Sequence, residues 1–124
     1  MGFLHGMLGN ASEVNSKEVE EKLVDVLVEN EEVVLAYKVI RDEFIFTDKR
    51  LILIDKQGLT GKKVEYHSIP YKSISHFSVE TNGHFDMDSE LKIWVSHSKE
   101  PIEKEFKKGT NLVAIQKALS TYAL

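Results

Sequence analysis

Residues 33–107 constrain this chain most. They divide into seven short segments rich in β-branched and aromatic residues: VVLAYKVI (33–40), EFIFT (43–47), RLILID (50–55), KVEYHSI (63–69), SISHFSVET (73–81), ELKIWVSH (90–97) and IEKEFK (102–107). Turn-forming residues separate them: Arg41-Asp42, Asp48-Lys49, Gln57-Gly58 with Gly61, Pro70, Asn82-Gly83, and Lys99-Glu100-Pro101. None of these connections has the length of a parallel crossover, so the segments are expected to run as an antiparallel meander. Several alternate cleanly, with Leu91, Ile93 and Val95 opposing Lys92, Trp94 and Ser96, and Ile102, Lys104 and Phe106 opposing Glu103, Glu105 and Lys107.

Helical signals flank the strands on both sides. Asn15 or Ser16 offers an N-cap, with Glu18 placed three residues after Asn15 as in a capping box. Val19, Leu23, Val26 and Leu27 then line one face, predicting a helix over 16–29 that ends near Asn30. Residues 1–15 read as a loosely ordered start. At the other end Gly109-Thr110-Asn111 closes the strand region and caps a helix over 111–123, with Leu112, Ile115, Leu119 and Tyr122 on one stripe. A chain of 124 residues with 42% hydrophobic and 29% charged residues fits a single domain with one core, here spanning 16–124.

The order of seven antiparallel strands followed by a C-terminal helix, together with FIFTDKRLILID (44–55) and IPYKSISHFSVE (69–80), resembles the bacterial pleckstrin homology (PH)-like domain family. The resemblance covers roughly residues 17–124. It implies an α+β fold: a seven-stranded, strongly bent antiparallel sheet or barrel capped by the C-terminal helix, with an additional N-terminal helix. By that pattern Thr47-Asp48-Lys49-Arg50 is the turn between the second and third strands. Turn chemistry agrees, since Thr and Asp side chains accept hydrogen bonds from a turn backbone. The resemblance also implies a non-catalytic module that self-associates into a homo-oligomeric ring.

The charge balance narrows the choice of partner. The net charge is −4, and residues 11–32 carry Glu13, Glu18, Glu20, Glu21, Asp25, Glu29, Glu31 and Glu32 against only Lys17 and Lys22. An acidic whole argues against nonspecific nucleic-acid binding, which needs a positive footprint. The local bases Lys49, Arg50, Lys56, Lys62 and Lys63 form the candidate anion patch of the alternative reading, a membrane-associated binder of anions or lipid headgroups. These residues come from turns at opposite ends of one strand, about 20 Å apart. Lys38 and Arg41, beside the first strand connection, face Asp42 and Glu43 and lack the dense basic spacing of lipid-binding relatives.

The chain holds no catalytic signature and no cofactor motif. Cysteine is absent, which removes disulfides and thiolate chemistry. His5, His67, His76, His84 and His97 show no metal-ligand spacing, and Asp86, Asp88 and Glu90 alternate without the Gly and later Glu of a calcium loop. His76, Ser78 and Glu80 share a strand face, but no nucleophile elbow accompanies them. No segment reaches the length of a spanning helix, and the start has no basic flank, so a cytoplasmic protein is expected.

Two features point to an interface. VVLAYKVI and LILI are apolar on both faces, so something must cover the outer face of the sheet: the acidic helix or a second copy of the chain. Trp94 alternates with the apolar residues of its strand and so turns away from the core, where it anchors an interface or lies under the N-terminal helix. Trp94, Val34 and Ile40 are the candidate interface residues.

Overall fold

A computed structural model of the chain describes residues 12–39, 42–57, 62–81, 89–106 and 112–124. Its strands are β1 (Ser12–Glu13), β2 (Val33–Val39), β3 (Asp42–Thr47), β4 (Arg50–Gln57), β5 (Lys63–Pro70), β6 (Ile74–Glu80), β7 (Ser89–Val95) and β8 (Ile102–Phe106). The helices are α1 (Ser16–Lys22) and α2 (Leu112–Ala123). Every strand pair is antiparallel, as the short connections require.

The strands form two sheets rather than one bent sheet, and they do not close into a barrel. One sheet runs β1-β2-β3-β4-β5 and the other β6-β7-β8, with no ladder between β5 and β6. The reason lies at Pro70. Proline donates no hydrogen bond, and the single 3-10 turn Tyr71–Ser73 that follows redirects the chain into the second sheet. Within the segment 1–15 expected to be loose, Ser12 and Glu13 pair with Lys38 and Tyr37 on the edge of β2, and residues 1–11 lie outside the described residues.

The main core lies between the sheets and under α2. Phe44, Phe46, Leu51, Leu53 and Ile69 from the first sheet meet Ile74, Leu91, Ile93 and Phe106 from the second. Leu112, Ile115, Ala118 and Leu119 of α2 complete it, on the stripe that their spacing predicts. Tyr122 extends the seal by stacking on Phe46 and on Tyr71.

A second core sits on the outside of the five-stranded sheet. Val33, Ala36, Ile45, Ile52 and Ile54 face outward and are covered by Val19 and Leu23 of α1, with Val26 and Leu27 packed at the side. Val33 and Ala36 share this face although three positions apart, because a bulge between Val33 and Leu35 inserts an extra residue. The doubly apolar strands are thus covered by the chain's own N-terminal segment.

That segment differs from the expected helix over 16–29. Asn15 caps it as predicted, its Oδ1 accepting from the Lys17 and Glu18 N–H groups at 2.9 and 3.2 Å. The helix stops at Leu23, whose N–H is shared between the Val19 and Glu20 carbonyls. Beyond it the chain makes a further turn, with the Val26 and Leu27 N–H groups bonded to the Leu23 carbonyl, and is then held as a strap largely by side chains. Arg50 donates to the Val26 carbonyl, Glu31 accepts from the Val28 N–H, and Glu20 accepts from the Val33 N–H at 2.8 Å. Asn30 closes the strap with φ 70°, a left-handed conformation that asparagine tolerates.

Candidate interaction face and the placement of the basic residues

Thr47-Asp48-Lys49-Arg50 is the β3–β4 turn, and three of its four side chains, those of Thr47, Asp48 and Arg50, are structural. The Thr47 Oγ1 accepts from the Lys49 and Arg50 N–H groups, both at 3.0 Å, and donates to Glu31 Oε2 at 2.7 Å. Arg50 grips the same carboxylate with two parallel bonds, Nε to Oε2 and Nη2 to Oε1, both 2.9 Å. Its remaining donors reach the Val26 carbonyl and the Ser68 hydroxyl. The Glu31 side chain is fully buried. Burial pushes its carboxyl up, but hydrogen bonds from Arg50, Thr47 and the Val28 N–H, with the Arg50 charge, pull it down to about 2. The same bonds raise the Arg50 pKa further above its ordinary value.

The network extends through the fold. Tyr71 donates its hydroxyl to the Thr47 carbonyl, and its ring stacks on Tyr122 of α2 at 5.3 Å. Burial raises the Tyr71 phenol pKa, reinforced by Tyr122, Asp48 and Glu31. Asp48 is fixed by two contacts with Glu32, accepting from its N–H at its side chain and donating its own N–H to the Glu32 carbonyl. The turn therefore pins the strap to the sheet, and the sheet to α2.

Arg50 is consequently withdrawn from the candidate anion patch, its guanidinium committed to Glu31, Val26 and Ser68. The rest of that set divides. Lys49 is exposed at the β3–β4 turn, whereas Lys56, Lys62 and Lys63 gather at the other end of β4, where Gln57 pairs with Lys63. Lys56 lies 3.7 Å from Glu43. Lys62 and Lys63 are exposed and form no ion pair among the described residues. They stand at the start of β5, an edge strand whose side chains are mostly exposed on both faces.

Nearby, Asp42 and Asp55 stand directly opposite each other in β3 and β4. Lys104 of the second sheet reaches both, at 3.7 and 3.9 Å, and ties the two sheets together. Burial raises the Asp42 carboxyl; Lys104 draws it back, while Asp55 pushes it up again.

Trp94 turns away from the core, as its alternation implies, but α1 lies on the other sheet and does not cover it. The outer face of β6–β8 forms a grid of three rows set by the register. His76 opposes Trp94 in the first, and their rings stack at 4.4 Å with 17° between planes. Ser78, Lys92 and Glu103 form the second row, and Glu80, Glu90 and Glu105 the third. Lys92 lies 3.7 Å from Glu90 and 4.0 Å from Glu103. His76, Ser78, Glu80, Glu103 and Glu105 are exposed. His76 thus faces Trp94, Ser78 faces Lys92 and Glu80 faces Glu90, so each of the three is paired across the strands with a residue other than its neighbours on β6.

The other interface candidates lie elsewhere. Val34 is 39% exposed at the bulge of β2, on the first sheet beside α1, and Ile40 lies outside the described residues. Arg41 and the segment from His84 to Asp88 also fall outside them. Among the described residues no cluster of His, Cys, Asp or Glu could hold a metal ion, and no helix is long and apolar enough to cross a membrane. Sequence reading missed Glu31, which nothing in the acidic run distinguishes from Glu29 or Glu32. It also missed the row of three glutamates, which only the register across three strands reveals.

A domain of two antiparallel sheets with a C-terminal helix sealing the space between them is a PH-like fold. The bacterial PH domain family model matches residues 2–123, and the chain belongs to that family. Its relatives include the uncharacterized protein YjqA of Bacillus subtilis, 56% identical with complete coverage of both chains. A PH domain from Shewanella amazonensis superposes with a TM-score of 0.86 at 61% identity, covering 99% of each chain. A DUF1696 family protein with a PH domain from Shewanella loihica gives 0.81 at 60% identity, covering 94% of this chain and 99% of the other.

Proposed function

We propose that this PH domain is a non-catalytic protein-interaction module that self-associates head to tail into a closed ring. The observation that carries the reading is Trp94, stacked on His76 on a sheet face that no other element covers among the described residues. A tryptophan in such a position buries a large area at small entropic cost when a partner seats on it. A ring needs two different surfaces that meet, and the five-stranded sheet offers a second at its edge strand β5, whose side chains are mostly exposed. The apolar strands themselves supply no argument for a partner, since the strap covers them.

The test is Trp94→Glu, read by sedimentation velocity beside the wild-type chain. The substitution is expected to convert an assembly into a species of 14.1 kDa with unchanged circular dichroism. An assembly of unaltered mass would remove Trp94 from the interface.

A further inference from the structure

Resting on the self-association reading, we infer that the face around Trp94 docks onto the Lys62–Lys63 end of β5 in a second copy, with the glutamate row as its electrostatic anchor. The first ground is the register. Glu80 stands directly opposite Glu90, and Glu90 directly opposite Glu105, so three carboxylates lie in one cross-strand line. Like charges placed opposite one another destabilise a sheet. Within the described residues Lys92 is the only cation on this face, and it is shared between Glu90 and Glu103. The arrangement costs the isolated domain stability, and a cationic partner seated on the row relieves that cost.

The second ground is that the chain carries a matching surface. Lys56 is paired with Glu43, and Lys104 with Asp42 and Asp55. Lys62 and Lys63, like several other exposed lysines, form no ion pair among the described residues, but they are adjacent and open an edge strand, with Glu65 two positions beyond Lys63. Edge strands present unpaired backbone groups as well as side chains, so β5 supplies hydrogen-bonding capacity beside the two charges. Tyr66, half exposed farther along the same strand, adds an aromatic contact. The acidic face lies on one sheet and the basic edge on the other, so the contact is head to tail.

The experiment is a charge swap read by sedimentation velocity at low and high salt. Glu80→Lys/Glu105→Lys converts both like-charge pairs into opposite-charge pairs, so the fold is expected to remain as stable as the wild type or become more so. Association is nevertheless expected to weaken about tenfold or more. Lys62→Glu/Lys63→Glu is expected to weaken it similarly, and an equimolar mixture of the two variants to restore it. Lys17→Glu/Lys22→Glu, on α1, is the control and is expected to leave association unchanged. A wild-type assembly that is indifferent to both reversals, or equally sensitive to the α1 control, overturns this pairing while leaving self-association intact. A monomeric wild type overturns both.

Discussion

Replacing Arg50 by methionine removes the guanidinium paired with a fully buried carboxylate, that of Glu31. Glu31 keeps the Thr47 hydroxyl and the Val28 N–H but loses both guanidinium bonds and the opposing charge. Breaking a buried pair from one side costs about 3–5 kcal/mol. An independent route gives a similar size: a carboxyl drawn from 4.5 down to about 2 corresponds to about 3 kcal/mol of stability at neutral pH. The sign follows from the depressed value. The contribution is complete above the unfolded-state pKa of 4.5 and is lost as pH falls toward 2. Urea unfolding of wild type and Arg50→Met should therefore differ by about 3 kcal/mol at pH 7, with similar slopes against denaturant. The gap should close in acid, where Glu31 protonates more readily in the variant. A gap below about 1 kcal/mol, the range of surface ion pairs, or one that does not change with pH, would refute the reasoning.

Two further substitutions test other parts of the fold. Ile52→Ala opens a cavity in the outer core beneath the strap and should cost about 2–5 kcal/mol in the same unfolding assay; a cost below about 1 kcal/mol would mean that the strap does not form a packed layer. Asp42→Asn removes a carboxyl whose folded pKa is raised, so the native group favours stability below its ordinary range and loses that advantage as pH rises. The variant should gain stability at neutral pH and lose the gain in acid, and a pH-independent difference would contradict the origin assigned to the shift.

The alternation of Leu91, Ile93 and Val95 against Trp94 correctly separates inner from outer residues, because a strand's side chains follow a fixed period of two. The stripe of α2 was legible for the equivalent reason. The apolar character of both faces of β2 to β4 announced a covering layer but not its identity, since a helix and a second copy make the same demand on the sheet. Local pattern could not show where the N-terminal helix ends. The segment beyond it is anchored by Arg50, which takes the Val26 carbonyl from 24 positions away. Nor could it show that the meander splits at Pro70 into two sheets. Arg50 reads as a surface base in sequence because its partner Glu31, 19 positions away, is one acid among many. The glutamate row was hidden for a similar reason: alternation says that each residue faces outward, and only pairing across β6, β7 and β8 aligns them.

The absolute mass of the wild-type chain in solution, by light scattering on a sizing column across a range of concentrations, tests self-association most directly. The account predicts a discrete species at a multiple of 14.1 kDa that falls apart as salt is raised. A single species of 14.1 kDa at every concentration and at low salt would contradict it.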